Sequence, residues 1–275
     1  MSKRSHSDYL LGSSDAEQER LIRQAALLAP FTERFFRQAG IRSGQRVLDL
    51  GSGVGDVAML VSNLVGPSGE VVGIERDDRS LATARTRANQ AGYDNIGFIQ
   101  SDINAVSLSR SFDAVVGRFI LQFVPNPASV LRSVVRLLKP GGIVAFQEPS
   151  FAAFLHVCPQ LRLWSAAVTL ICESGRRAGV NVEMGFALHN VFLEAGLPAP
   201  KMYIDTPLGS GPDFTGWVDD LIRTLLPKIR EFNLSTEPLG DLDTLRERLH
   251  QEIVSANAVV PVLPLAGAWS RTSAS

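Results

Sequence analysis

The stretch VLDLGSGVGDVA, from Val47 to Ala58, contains a strand, a turn and the start of a helix in immediate succession. Its apolar beginning is typical of a buried strand, and a helix is predicted to begin at Asp56. The glycines between them allow the backbone to bend tightly and to approach a ligand without interference from a Cβ atom. The first N–H groups of the helix have no partner within it. We therefore expect a polar ligand to bind at this turn.

Strand-like and helix-like segments alternate on both sides of this stretch. Five strands are predicted in the first part of the chain, at Arg46–Leu50, Glu70–Glu75, Ile96–Gln100, Phe112–Gly117 and Gly142–Gln147. Helices are predicted to begin at Asp56, Arg79 and Pro127, and one further helix, or two separated near Pro30, is predicted between Asp15 and Ala39. This alternation is typical of βαβ units and predicts an α/β fold with a parallel sheet.

The second half of the chain departs from simple alternation at two places. About fifty residues separate the fifth strand from the next one, Lys201–Thr206, and this is more than a crossover helix needs. A second segment that is longer than a simple connection needs precedes a final strand predicted at Val259–Leu265. Within a single domain, we expect a helical lid at residues 1–45, a core formed by residues 46–149 and 200–275, and helical cap insertions at residues 150–199 and 207–257. The insertions are expected to cover the carboxyl edge of the sheet, where ligands of open α/β folds bind.

Composition favours a small-molecule substrate. The chain has 275 residues, of which 45% are hydrophobic, and this is sufficient for a large core. Lys and Arg together number 27 against 28 Asp and Glu, and no basic block interrupts this balance, so a nucleic-acid partner is not expected. A homodimer is compatible with the sequence, which does not determine the oligomeric state.

The sequence also suggests a cytoplasmic protein. Its first residues lack the apolar run of a secretory signal, and the uncharged segment from Ala258 to Trp269 is too short to cross a bilayer. Cys158 and Cys172 have no CxxC or zinc-ligand spacing, which is consistent with a reducing compartment and with buried, apolar roles for both. No metal site is predicted, because no His, Asp or Glu cluster has ligand spacing.

The spacing of the glycines discriminates between classes of ligand. A dinucleotide fingerprint needs a glycine where this chain has Asp56, and the Gly-Lys-Ser/Thr of a P-loop is absent. Gly51, Gly53 and Gly55, with Asp49 in the preceding strand, instead resemble the first motif of the Rossmann-like (class I) S-adenosylmethionine-dependent methyltransferases. That cofactor has no phosphates. It carries an amino group and a sulfonium, which a carboxylate such as Asp49 can favour.

The resemblance extends from about Arg46 to the end of the chain, with the two insertions least covered. It is carried by GEVVGIERD, IQSDI, FDAVVGRFILQFVPNP, LLKPGGIVAFQEP and AVVPVLPLAGAWSR. Within the family, the chain is most similar to the ubiquinone/menaquinone-type and secondary-metabolite small-molecule enzymes. The resemblance implies a Rossmann-like open sheet, mostly parallel with an antiparallel last strand, with helices on both faces and helical cap insertions.

The resemblance also implies roles for individual residues. Glu75 would accept hydrogen bonds from both ribose hydroxyls, and Asp102 would read the adenine amino group while its neighbour packs on the ring. Glu75 as a plain strand-end charge and Asp102 as a cap of the following turn are the alternatives. Arg118 would either line the methionine end of the cofactor or lie in a solvated loop. Further residues expected around the cofactor are Ser52, Arg76, Ser101, Ile103 and Phe119, with Tyr9, Arg23 and Gln24 from the lid.

Methyl transfer needs collinear reactants and a site without water, so a general base is optional. His156 and Glu148 are the candidate bases, because chain position allows both to face the substrate. His189 is expected to be a packed or capping residue, and His250 a solvated one. An apolar acceptor pocket could be built from Phe151, Phe154, Leu155, Trp164 and Phe186.

Three functions are compatible with these motifs. The first is an S-adenosylmethionine-dependent methyltransferase that acts on a small, largely apolar molecule by O-, C- or N-methylation. The second is a methyltransferase-like cyclase or pericyclase, which binds the cofactor without methyl transfer. The third is an NAD-responsive binding module, which Asp56 disfavours because a glycine is needed at that position.

Overall fold

The computed structural model describes residues 14–106, 108, 112–151 and 160–273. These ranges contain a seven-stranded sheet. Its strands are β1 (Arg46–Leu50), β2 (Glu70–Glu75), β3 (Ile96–Gln100), β4 (Phe112–Arg118), β5 (Leu138–Pro149), β6 (Lys201–Asp205) and β9 (Leu265–Arg271), and β7 (Leu208–Gly209) and β8 (Val260–Pro261) form a separate antiparallel pair. The helices are α1 (Asp15–Ala39), α2 (Asp56–Val65), α3 (Asp78–Gln90), α4 (Pro127–Val135), α5 (Arg162–Arg177), α6 (Met184–Glu194), α7 (Pro212–Glu231) and α8 (Leu245–Ser255).

The strand order in the sheet is β3-β2-β1-β4-β5-β9-β6. All neighbours are parallel except β9, which runs antiparallel to β5 and β6. Leu48 of β1 pairs with Val72 on one side and Val115 on the other, and all three are buried because helices cover both faces of the sheet. This confirms the expected Rossmann-like architecture with an antiparallel last strand.

Two hydrophobic layers enclose the sheet. On one face, Phe35 and Phe36 of α1 pack with α2 against β1 and β5. On the other face, α4 and α6 pack against β4, β5 and β9. The α1 helix is continuous through Pro30, and it is capped by Ser14 at its start and by Gly40 after its last residue, Ala39. No helix in the described ranges combines the length and the apolarity that a membrane span requires.

A third hydrophobic cluster joins α5, α7 and α8 into a helical unit beside the sheet. Within it the rings of Trp164 and Trp217 meet edge to face, 5.7 Å apart. Cys172 is buried in the same cluster, as predicted, whereas Cys158 lies outside the described residues. The prediction of one cap at residues 150–199 does not hold for α6. Its buried Leu188 and Phe192 pack on the sheet, so this helix belongs to the α4 layer.

The final strand differs from the sequence prediction. Val260–Pro261 forms the short β8, and the last strand of the main sheet is Leu265–Arg271. Prolines, which lack an N–H donor, favour this break in the apolar run. The later segment contains Gly267, where a Cβ atom would lie 2.6 Å from the ring of Phe35. The strand therefore needs small residues at this position, which a search for hydrophobic runs does not detect.

Candidate active site

A cavity of about 670 Å³ lies where the carboxyl ends of β1, β2 and β4 meet. Its volume is within the range of sites that enclose a small molecule. The turn after β1, the end of β2, the segments after β3 and β4, and the first half of α1 form its walls. We call it the main cavity.

The glycine turn after β1 borders the main cavity through Gly51, Ser52 and Gly53. Gly53 has a φ of 51°, in the left-handed region. A Cβ atom on Gly53 would meet no protein atom within 4 Å, so the space beside it is free for a ligand. Gly55, which was predicted to contact the cofactor, does not border the cavity. Gly55 is the residue immediately before α2 and has a φ of 90°. It packs against Ala84 and Phe98.

Glu75 connects the end of β2 to the glycine turn. Its Oε2 accepts a hydrogen bond from the backbone N–H of Gly53 at 3.0 Å. Its Oε1 accepts from the backbone N–H groups of Arg76 at 2.8 Å and Asp77 at 2.9 Å. A carboxylate offers about four lone-pair positions, so these three bonds leave about one for a ligand. Glu75 therefore shapes the turn as well as bordering the cavity.

Asp102 and Ile103 border the main cavity after β3, whereas Ser101 does not. The Oδ1 atom of Asp102 accepts from the backbone and the side-chain amide of Asn104, both at 2.8 Å. These bonds hold the pKa of Asp102 below its ordinary value and form the local turn considered as an alternative role. The Oδ2 atom accepts no hydrogen bond from the described residues and remains available to a ligand.

Asp49, predicted to contact the cofactor, is buried and does not border the main cavity, whereas Arg118 does. Both oxygens of Asp49 are buried without a well-formed hydrogen bond in the described part of the chain, although the backbone N–H of Ala58 lies nearby. Burial raises the pKa of Asp49 well above its ordinary value, against the attraction of Arg118. Arg118 borders the cavity and donates Nη1 to Thr32 at 3.0 Å. It forms no ion pair with a carboxylate of the described residues.

The first half of α1 forms one wall of the main cavity through Glu17, Gln18, Leu21 and Gln24. The Oε1 atom of Gln18 accepts from Thr83 of α3 at 2.8 Å, and its buried Nε2 has no partner among the described residues. Glu17 and Gln18 were missed in the sequence, because nothing in their spacing distinguishes them from ordinary helix residues. Arg23, predicted to close over the cofactor, does not border the main cavity and pairs with Asp220 of α7 at 3.2 Å.

A smaller chamber of about 80 Å³ adjoins the main cavity. The two share Leu21, Gln24, Phe119 and Phe123 as a common wall. We call the smaller space the apolar chamber, because most of its walls are hydrophobic side chains, among them Phe151, Ile171, Val182, Leu221, Leu225 and Leu263. Its polar neighbours are Arg20, Gln24 and Gln122.

Two of the predicted acceptor-pocket residues lie elsewhere. Phe151 borders the apolar chamber, but Trp164 is enclosed in the helical unit. Phe186 is 59% exposed on α6, because the face of this helix that carries it is turned away from the sheet. Phe154 and Leu155 lie outside the described residues, as do Tyr9 and His156.

Glu148 is a backbone anchor in the structure, not a base facing a substrate. It is fully buried and borders neither the main cavity nor the apolar chamber. Its Oε1 accepts from the N–H groups of Ile120 and Leu121 at 2.9 and 2.8 Å, and its Oε2 accepts from Gln122 at 3.3 Å. Burial raises the pKa of Glu148 to about 7, and the three N–H groups partly oppose this shift.

Two histidines, His189 and His250, lie in the part of the chain that the structure describes. His189 is exposed on α6 and not packed or capping, with a side-chain neighbour in Asn190 at 3.4 Å. His250 is half-buried on α8, 3.5 Å from the hydroxyl of Thr215. Neither borders the main cavity or the apolar chamber.

Sequence comparisons identify related proteins with one activity. A family model described as a methyltransferase domain matches residues 41–196. The ubiquinone/menaquinone biosynthesis C-methyltransferase UbiE of Pseudomonas putida is 40% identical over 117 residues, which cover 41% of this chain and 46% of that protein. UbiE of Edwardsiella ictaluri is 34% identical over 136 residues, 45% of this chain and 54% of that protein. The chain spans about half the length of the curated relatives it matches.

Solved structures resemble the chain over most of its length. YcgJ of Bacillus subtilis has a TM-score of 0.54 at 15% identity and covers 91% of this chain and 98% of its own. Phosphoethanolamine N-methyltransferase 2 of Haemonchus contortus, in complex with S-adenosyl-L-methionine, has a TM-score of 0.53 at 15% identity, with coverage of 87% and 51%. The [4+2]-cyclase SpnF has a TM-score of 0.55 at 17% identity, with coverage of 90% and 81%. At these identities the likeness shows the fold alone.

Proposed function

Because this chain belongs to the methyltransferase domain family of S-adenosylmethionine-dependent enzymes, we propose that it transfers a methyl group from S-adenosylmethionine to a small, largely apolar acceptor. One observation carries the proposal: the main cavity shares a wall with an apolar chamber, and it is bordered by carboxylates and by Arg118, which forms no ion pair among the described residues. The first has the polarity of the cofactor and the second that of the acceptor.

The residues of the main cavity fit the cofactor group by group. The lone pair of Glu75 that its three backbone bonds leave free suits one ribose hydroxyl. The Oδ2 atom of Asp102 suits the adenine amino group. Arg118 suits the carboxylate of the methionine end, since it forms no ion pair with a carboxylate of the described residues, although Asp56 and Asp49 attract it. A cation in the cavity would favour the ionised form of the buried Asp49 without touching it, because Asp49 does not border the cavity.

When bound, S-adenosylmethionine supplies an electrophilic methyl carbon whose leaving group needs no protonation. The chain's own contribution is to orient both reactants and to exclude water from the junction of the two spaces. Phe119 and Phe123 of the shared wall can pack against an apolar acceptor there. His156, outside the described residues, stays the predicted general base, and an assay of His156→Ala across pH is its test.

The lid and the cap are also part of this proposal. Leu21 and Gln24 of α1, with Ile171 of α5 and Leu221 of α7, border the apolar chamber. Thr224 of α7 donates to Glu17 of α1 at 3.0 Å, so the two helices are tied together beside the chamber. We propose that α1 is the lid and the helical unit is the cap under which the acceptor binds.

The proposal is tested with cofactor labelled in its methyl group and a panel of small apolar acceptors. We expect the label to appear in the acceptor, with one S-adenosylhomocysteine formed for each methyl group transferred. If the protein converts an acceptor while the cofactor keeps its label, the function is that of a cyclase or pericyclase and not of a methyltransferase. If the cofactor binds and no acceptor of the panel is changed, the assignment of acceptor class is wrong.

Replacement of Arg118 with methionine should weaken binding of S-adenosylmethionine by roughly 10- to 150-fold, because a hydrogen bond to a charged group contributes about 1.5–3 kcal/mol. Calorimetric titration of the purified variant measures the change. The control ligand is 5′-methylthioadenosine, which lacks the amino-acid end and should bind to both proteins alike. An equal loss of affinity for both ligands would show that Arg118 supports the cavity without contacting the carboxylate.

A further inference from the structure

We infer that Gln24 selects acceptors which carry an uncharged oxygen, a carbonyl or a hydroxyl, on an otherwise apolar skeleton. This inference rests on the proposed function, because it treats the apolar chamber as the acceptor site. It adds to that function a chemical class of acceptor and the residue that recognises it.

The orientation of the Gln24 amide is fixed by Arg20. A guanidinium can only donate hydrogen bonds, and Nη1 of Arg20 lies 2.8 Å from Oε1 of Gln24. The amide oxygen therefore faces Arg20, and the Nε2 group, with its two donors, faces away from it. Nε2 donates to no acceptor among the described residues. Gln24 thus offers a donor, and not an acceptor, to a bound molecule.

The position of Gln24 places this donor where an acceptor would meet the cofactor. Gln24 borders both the main cavity and the apolar chamber. The other residues of the shared wall, Leu21, Phe119 and Phe123, cannot donate from their side chains. An oxygen bound to Gln24 would therefore lie at the junction of the two spaces.

The charge balance beside Gln24 favours a neutral oxygen. Nε and Nη2 of Arg20 each donate to one oxygen of Glu17 at 2.7 Å. The side chains of Arg20 and Glu17 are only 7% and 1% exposed, so the positive charge of Arg20 is neutralised in place. A carboxylate in the apolar chamber would lose its hydration without gaining a free counter-charge. A carbonyl or hydroxyl needs only the one donor that Gln24 provides.

Three probes of similar shape test the inference: acetophenone, isopropylbenzene and benzoate. Their affinities for the protein saturated with S-adenosylhomocysteine are measured by NMR titration. We expect acetophenone to bind roughly 2- to 12-fold more tightly than isopropylbenzene, as one neutral hydrogen bond implies, and benzoate to bind most weakly. No binding of any probe, or benzoate binding as tightly as acetophenone, would overturn the inference.

Gln24→Glu isolates the donor. The new carboxylate can still accept from Arg20, but it has no N–H for a ketone oxygen, so the preference for acetophenone over isopropylbenzene should disappear. The Gln24→Met variant should lose the same preference and still bind isopropylbenzene. It replaces Gln24→Glu as the test if the glutamate variant folds poorly. Gln38→Glu, at an exposed position of the same helix, makes the same charge change and should keep the preference.

The outcomes separate this inference from the proposed function. A preference for acetophenone that survives in both Gln24 variants, with unchanged affinity for S-adenosylhomocysteine, refutes the role of Gln24 and leaves methyl transfer untouched. A preference that depends on Gln24 supports the inference even where the labelled cofactor gives no methylated product. In that case the chamber still binds neutral oxygen compounds, and the proposed methyl transfer is what fails.

Discussion

Replacement of Gly53 with leucine is expected to weaken binding of S-adenosylmethionine by more than roughly 150-fold. A Cβ atom at this position meets no protein atom within 4 Å, so the new side chain would enter the space that the cofactor needs. Methylene groups forced into a close contact typically cost about 1–3 kcal/mol, and leucine adds several of them. Calorimetric titration with S-adenosylmethionine and S-adenosylhomocysteine measures the loss.

Gly92→Leu is the matched control for this change. Gly92 has a φ of 75°, also in the left-handed region, and its Cβ atom would likewise meet nothing within 4 Å, but it does not border the main cavity. Both variants therefore carry a similar backbone strain of about 1–3 kcal/mol, and only one of them obstructs the ligand. If the two variants bind the cofactor equally well, the glycine turn is not its site.

The first half of the sheet was predictable because its signals are local. The predicted bounds of β1, β2 and β3 coincide with those in the structure, and α2 begins at the predicted Asp56. Each of these strands is a short apolar run between polar turns. The βαβ order then leaves few topologies, since connections between parallel strands are right-handed. The predicted bounds agree with the structure where the local sequence alone determines where a strand or helix begins and ends.

The second half was less predictable because its limits depend on distant partners. Leu265–Arg271 is the last strand because its small residues allow Phe35 of α1 to pack against Gly267, more than two hundred positions away in the chain. The assignment of α6 to the sheet depends in the same way on its contacts with β5 and β9. The spacing of Met184, Leu188 and Phe192 is typical of a helix with one buried face, but it does not indicate which layer that face packs against.

The candidate site also combines residues that local sequence predicts with contacts that it does not predict. Glu75 was predicted because it ends a recognisable strand, and Asp102 and the glycine turn because they come soon after one; all three border the main cavity. The neighbours that determine how many further hydrogen bonds these side chains can make were not predictable. Glu75 already accepts three backbone hydrogen bonds, and Gln24 is oriented by Arg20, which is held by Glu17. Such details depend on which side chains meet in space.

Glu148 shows how position in a motif can suggest the wrong role. It follows the predicted fifth strand, Gly142–Gln147, and is the penultimate residue of β5, at the carboxyl edge of the sheet where a substrate-facing acid would be expected. In the structure its carboxylate accepts from the N–H groups of Ile120, Leu121 and Gln122. These residues follow Phe119, which has an unusual φ of 58° and borders both spaces. Glu148 therefore holds the segment that separates the main cavity from the apolar chamber.

This role predicts a pH dependence of stability that Glu148→Gln removes. The pKa of Glu148 is raised to about 7 in the folded protein, above the 4.5 of an ordinary glutamate. Between these values the folded state binds the proton more tightly than the unfolded state does, so the contribution of Glu148 is fully present below pH 4.5 and is lost as pH rises through 7. Glutamine has no such proton.

We therefore expect the free energy of unfolding of Glu148→Gln, minus that of the wild type, to rise on the order of 3 kcal/mol between pH 4.5 and 7. Urea unfolding at several pH values measures this difference. Asp49 is present in both proteins, so its own titration cancels. Glu194→Gln, at an exposed position, should give a far smaller change. A flat difference for Glu148→Gln would mean that the buried carboxylate stays ionised throughout this range, held by its three backbone donors.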